Sequence, residues 1–346
     1  MSSENVQEEV AVEPELGLRR LDTAVSSFST PESVVAFKFG GSSLLGAERM
    51  LHAASLVQPV APASHVVVIV SAMRGITDRL LAIAHALVDC RNEKARAEAE
   101  AVLQLHFDVL ENLRLAPEHH DRVAYQLASL GRDLLHEVPA RRQIVATPEL
   151  FDRLASFGER FSARLFAAAL ERSGVPAVPV CSSDFVVTCE NFRDAKPQLA
   201  QTKRRGRDIL LPLLEDGIVP VVTGFIGATS DGRITTLGRN SSDFSGAIVA
   251  HVVDADELVI WTDVDGIFTE NPNESAQARL LHDLSYDEAH ALAASGANVL
   301  HPHVLPLAAE TEMTVWVRNT FKPHVRGTRI GVANEFKSLP QHGGAA

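Results

Sequence analysis

Cysteine is scarce. The three present, Cys90, Cys181 and Cys189, are an odd set without metal-ligand spacing, which argues against a disulfide framework or a zinc site and for a reducing compartment. Positive charge is in deficit as well: 32 Lys and Arg stand against 44 Asp and Glu, for a formal net charge of -12. That balance disfavours non-specific binding to nucleic acid or an anionic membrane, although a local basic site can still bind phosphates. No apolar run reaches bilayer length. The N-terminus is polar and glutamate-rich, the reverse of a signal or transit peptide. The expectation is a soluble cytoplasmic protein with neither nucleic-acid nor membrane partner. Nor is there an internal repeat or a second composition along the 346 residues, a length sufficient for a sizeable core. One catalytic-type domain is expected over residues 34–330.

What is present alternates strand, turn and helix. Met1 to Ser33 carries seven acidic residues against two arginines and no sustained apolar period, which predicts a disordered tail. Val34 to Phe39 predicts a strand running into Gly40-Gly41-Ser42-Ser43, where two glycines let backbone amides approach an anion. Ser64 to Val70 reads as a buried parallel strand followed by the polar loop Ser71 to Asp78. Asn92 to Glu137 lacks a strand signal and predicts two or three inserted helices. Pro148 to Arg172 predicts the longest amphipathic helix, closed by Gly174. Lys203 to Arg207 is a basic run expected just before a helix, as a solvated start or a phosphate contact. Ile218 to Thr223 is a strand, Asp231-Gly232 a hairpin turn, and Thr314 to Arg318 the last clear strand. Residues 331–346 read as a second flexible tail.

Gly232 to Thr269 organises the rest. Gly238, Arg239, Ser241, Ser242 and Asp243 fall at a helix start, where unpaired N–H groups and the dipole favour an anion. The strand Leu258 to Trp261 then delivers the loop Thr262-Asp263-Val264-Asp265-Gly266. The carboxyl ends of strands in an open α/β sheet are where ligands sit. The expected architecture is α/β, a three-layer sandwich around a mostly parallel sheet.

The motifs KFGGSS, VSAMRGITD, SFGER, TLGRNSSDFSGA, WTDVDGIFT, LSYDEA, GANVLHP and VRNTF together resemble, in order, the catalytic domain of aspartokinases in the amino acid kinase superfamily. The resemblance covers about 34–330. It implies the amino acid kinase fold, with a helical insertion in an N-terminal amino-acid-binding lobe and a C-terminal nucleotide-binding lobe. It also implies phosphoryl transfer from MgATP to the side-chain carboxylate of L-aspartate, giving 4-phosphoaspartate toward lysine, threonine and methionine. By resemblance Lys38, Gly41 and Asp243 are catalytic, while Ser71, Thr77, Glu159, Phe225, Arg239 and Ser242 bind aspartate. Lys38, Gly40, Gly41, Ser42, Thr262, Asp263, Phe268, Asn273 and Asn298 are then expected around ATP. Mg²⁺ would be held mainly by the phosphates, with no protein ligand named. Each residue has a plainer reading: Lys38 as a strand-end lysine, Glu159 paired with Arg160 or Arg164, Ser242 and Asp243 as helix caps, Asp263 and Asp265 as turn residues.

The match departs from the family at Asn298 and Asn273, where lysine and arginine are usual. It departs also at Phe268 for tyrosine, and at Asn240-Ser241 for two glycines. Relatives usually continue into paired ACT domains, whereas 16 residues follow Ile330 here. A homodimer is expected, or a separate regulatory or fused partner domain. The alternatives are a kinase of a related amino acid or a weakly active aspartate-binding regulatory subunit.

Overall fold

The computed structural model describes residues 33–139, 144–238, 241–270, 275, 277–294 and 300–333. The expected tails therefore lie outside the described residues, apart from their inner edges. Ser33 is buried and its hydroxyl meets Ser64 Oγ at 2.8 Å, so it belongs to the fold and not to the tail. Gly331 likewise ends a strand.

The core is an eight-stranded sheet in the order β11-β13-β12-β8-β1-β2-β5-β3. Its strands are β1 (Val34–Phe39), β2 (His65–Val70), β3 (Ala177–Val180), β5 (Val219–Thr223), β8 (Glu257–Thr262), β11 (Asp283–Ser285), β12 (Thr314–Asn319) and β13 (Thr328–Gly331). Every pairing in it is parallel except β12 with β13. A smaller sheet joins β4 (Val187–Thr188), β6 (Ile226–Thr229) and β7 (Ile234–Thr236), and β9 (Ile267–Phe268) pairs with β10 (Leu280–Leu281).

Strand alternation sorts side chains into two cores. Val35, Phe37, Phe39, Val66, Val68, Val70, Val259 and Trp261 enter one. That layer holds α1 (Ala47–Val57), α2 (Ile76–Val88), α3 (Asn92–Leu113), α4 (Pro117–Glu137), α5 (Pro148–Ala155) and α6 (Phe157–Arg172). Ala36, Val67, Ile69, Leu258 and Ile260 enter the other, covered by α7 (Leu199–Glu215), α8 (Ser242–Val252), α9 (Tyr286–Ala294) and α10 (Val304–Glu310). The sheet between two helical layers is the three-layer α/β sandwich that the sequence predicts. Lys38 shares parity with Ala36 and so faces α8.

The structure changes several local readings. The predicted helix over Pro148 to Arg172 is divided at Ser156 into α5 and α6, with the Ser156 hydroxyl donating back to Arg153 O at 2.7 Å. The longest helices are instead α3 and α4, the predicted insertion. The basic run lies inside α7, not before it, and Lys203 and Arg207 both pair with Asp254. A capping box opens α9: Ser285 N donates to Glu288 Oε2 at 2.8 Å and Glu288 N to Ser285 Oγ at 3.2 Å. Asp152, buried on α5, anchors the smaller sheet by accepting from Arg193 N at 2.8 Å, Thr236 N at 3.0 Å and Thr236 Oγ1 at 2.8 Å. Among the described residues no helix is long and apolar enough to cross a membrane.

Candidate active site

Above the carboxyl ends of β1, β2 and β8 opens a cavity of about 850 Å³. The turn after β1 forms its floor. Gly40 N donates to Trp261 O at 3.1 Å, which ties the turn to β8. Gly41 fits only without a side chain, since a Cβ there would lie 2.6 Å from Ala72 O. Lys38, 6% exposed, enters from below and meets Asp243 at 2.7 Å between Nζ and Oδ1. Asp243 stands in the first turn of α8, and α8 comes this close because Gly246 packs on the Lys38 stem: a Cβ at 246 would be 3.2 Å from Lys38 Cβ.

Glu159 reaches the cavity from the first turn of α6 with 2% exposure. Ala72 N donates to its Oε1 at 3.0 Å, and Oε2 is buried without a protein partner. Burial pushes its carboxyl up to about 8, against the opposing pull of the Ala72 N–H. A buried carboxylate oxygen left bare is costly unless a ligand donor completes it. Phe225 holds a left-handed backbone at φ 66, fixed by its N–H on Ser245 Oγ at 2.7 Å and its carbonyl under Leu237 N at 3.0 Å. Such conformations cost bulky residues energy and cluster at ligand sites.

The cavity brings together Lys38, Gly40, Gly41, Ser71, Thr77, Glu159, Phe225, Ser242, Asp243, Thr262 and Asp263. Its lining does not include Ser42, which sits in the 3-10 turn Gly41–Leu44 with its carbonyl under Arg49 Nη1 at 2.7 Å. Nor does it include Phe268, which pairs with Leu280 in the side ribbon. Asp265 turns instead to Asn319 and Lys322, at 2.5 and 2.9 Å; burial alone would raise its carboxyl, but these donors hold it below the usual range. Ser241 spends its hydroxyl on Gly238 O at 2.7 Å and does not cap α8. Arg239, Asn240, Asn273 and Asn298 lie outside the described residues. Sequence reasoning missed Arg74, Asp78 and His301 in the lining. Arg74 and Asp78 belong to a loop motif quoted whole for its hydroxyls, and an arginine inside a presumed anion site was the available signal. Burial, then the charge of His303, lowers His301, which stacks on Phe244 at 5.5 Å between ring centres.

The arrangement offers a buried acceptor for a cation beside a lysine, glycine amides and a helix start suited to an anion. The Amino acid kinase family model matches residues 33–319. Lysine-sensitive aspartokinase 3 of Escherichia coli is 33% identical over 86% of this chain and 64% of its own length. Aspartokinase 1, chloroplastic, of Arabidopsis thaliana is 33% identical over 85% of this chain and 51% of its own. The chain thus spans about half to two thirds of these relatives. A solved structure of E. coli aspartokinase III with aspartate and ADP superposes with a TM-score of 0.78 at 31% identity, covering 87% of this chain and 65% of that one. Clostridium acetobutylicum aspartate kinase, at 22% identity and a TM-score of 0.68, shares the fold.

Proposed function

The chain belongs to the amino acid kinase family, and from that premise we propose that it transfers the terminal phosphoryl group of ATP to the side-chain carboxylate of L-aspartate. A carboxylate oxygen attacks the γ-phosphorus, the bond from that phosphorus to the bridging oxygen of ADP breaks, and an acyl phosphate forms without net proton transfer. Both reactants are anions, so catalysis rests on positioning and on positive charge. Lys38 meets the transferring phosphoryl oxygens, the Gly40 and Gly41 amides support it, and Asp243 fixes the lysine. Glu159 takes the substrate ammonium. Ser71, Thr77, Phe225 and Ser242 line that pocket, and Arg239 clamps the α-carboxylate. Thr262 and Asp263 face the nucleotide, with Phe268, Asn273 and Asn298 toward it by family resemblance. Mg²⁺, carried on the phosphates, supplies further charge neutralisation. An amino-acid lobe and a nucleotide lobe would meet at this cavity, in a cytoplasmic, dimeric enzyme of amino-acid biosynthesis.

The observation that carries the reading is the bare buried oxygen of Glu159 in the cavity that also holds Lys38. The solved relative with aspartate and ADP supports both ligands. The test is hydroxamate formation from L-aspartate and MgATP in hydroxylamine. The parent should give hydroxamate, and Lys38→Ala should lose about 10²–10³-fold in kcat, the range for removing one transition-state donor. No hydroxamate from a folded parent would reject the reading.

A further inference from the structure

We propose that Arg74 is an exchangeable phosphate clamp: it holds Asp263 while the cleft is empty of nucleotide and moves onto the polyphosphate when nucleotide enters. The inference rests on the phosphoryl-transfer reading and adds a binding residue to it.

Arg74 follows β2 and Asp263 follows β8, while β1, with Gly40 and Gly41 at its end, runs between those strands. The 3.7 Å approach of Arg74 Nη1 to Asp263 Oδ2 therefore spans the glycine floor. The arginine backbone is anchored to that floor, its N–H donating to Gly41 O at 3.1 Å. Both side chains are exposed, 71% for Arg74 and 47% for Asp263, so their pair is screened and easily exchanged. Lys38, the other lysine or arginine among the described lining residues, is committed to Asp243. The same lining carries Asp78, Glu159, Asp243 and Asp263, so an entering polyanion meets more acid than base. A mobile guanidinium, whose planar fork fits phosphate oxygens, offsets that excess and leaves only an exposed Asp263 behind.

Calorimetric titration of the full chain, Arg74→Ala and Arg74→Lys with MgADP, and separately with L-aspartate, tests this. Arg74→Ala should raise the MgADP Kd about tenfold, roughly one charge-assisted hydrogen bond, with a shallower salt dependence. Arg74→Lys should fall between, and aspartate affinity should hold throughout. An MgADP Kd unchanged in Arg74→Ala overturns the proposal, as does an equal loss of aspartate affinity, which marks a structural role. MgADP binding that depends on Arg74 in a chain forming no hydroxamate overturns the aspartate reading alone. A parent that binds no MgADP overturns both.

Discussion

Glu159 and Asp263 are two carboxylates lining one cleft, and they are built on opposite principles. Glu159 is 2% exposed, rooted in a helix within the larger core, with one oxygen bonded and one bare. Asp263 stands on a loop with its side chain 47% exposed and a long, screened contact to Arg74. Desolvation makes the first demanding: it rewards a ligand cation that fills one place and penalises an empty or ill-fitting one. Solvation makes the second permissive, since water substitutes for any partner it loses. Under the proposed function, recognition of the amino acid is thereby concentrated in a few buried atoms, while the grip on phosphates is spread over exchangeable contacts.

Glu159→Gln should break the contrast most sharply. Removing one partner of a buried charge pair typically costs about 2–5 kcal/mol, so the aspartate KM should rise about 100-fold or more with MgATP KM nearly unchanged. The parent's pH profile should sharpen it. With burial holding Glu159 up to about 8, the free protein carries the acid form below that pH, and aspartate KM should fall as pH rises through it. The variant's profile should be flat.

Stability moves the opposite way. The folded carboxyl lies above its ordinary value of 4.5, so protonation stabilises the fold fully below 4.5, and that contribution is lost as pH rises to about 8. At alkaline pH Glu159→Gln should then melt about 2 °C or more above the parent, and a lower Tm there would show that the carboxylate is not a burden. Asp152→Ala should give the mirror image, a stability loss of about 1–3 kcal/mol from leaving the Arg193 and Thr236 backbone N–H groups without their acceptor, read by denaturant titration, with little change in the ratio of the two KM values. The smallest effect belongs to the wet side: Asp263→Asn should move kcat/KM for aspartate by less than about threefold, and a larger fall would collapse the contrast.

The parts of the molecule legible in the sequence are those whose signal is local. β1, β2, β5 and β8 announce themselves because strands buried on both faces must be β-branched and continuous, and Val66 to Val70 is little else. β9 to β11 and β13 are two to four residues long and exist through their partners, so no period betrays them. Ser156 reads as an ordinary helical residue and keeps a helical backbone, so nothing local marks the division between α5 and α6. The family motifs brought Lys38, Glu159 and Asp243 to one cavity, but the left-handed turn at Phe225 and the reach of Arg74 over the glycine floor are facts of three-dimensional placement. Asp152 looks like a solvated helical acid until Thr236 closes on it.

Gly246 couples the chemistry to the history the chain can have. Its missing side chain sets how near α8 lies to β1, with Lys38 Cβ and Leu258 Cδ1 at 3.2 and 3.3 Å from where a Cβ would stand. A methyl gained there presses on the Lys38 stem and on Leu258 together, and both must give way slightly to admit it. What position 246 can hold is therefore tied to what stands at 38 and 258, so the three positions drift together and not independently.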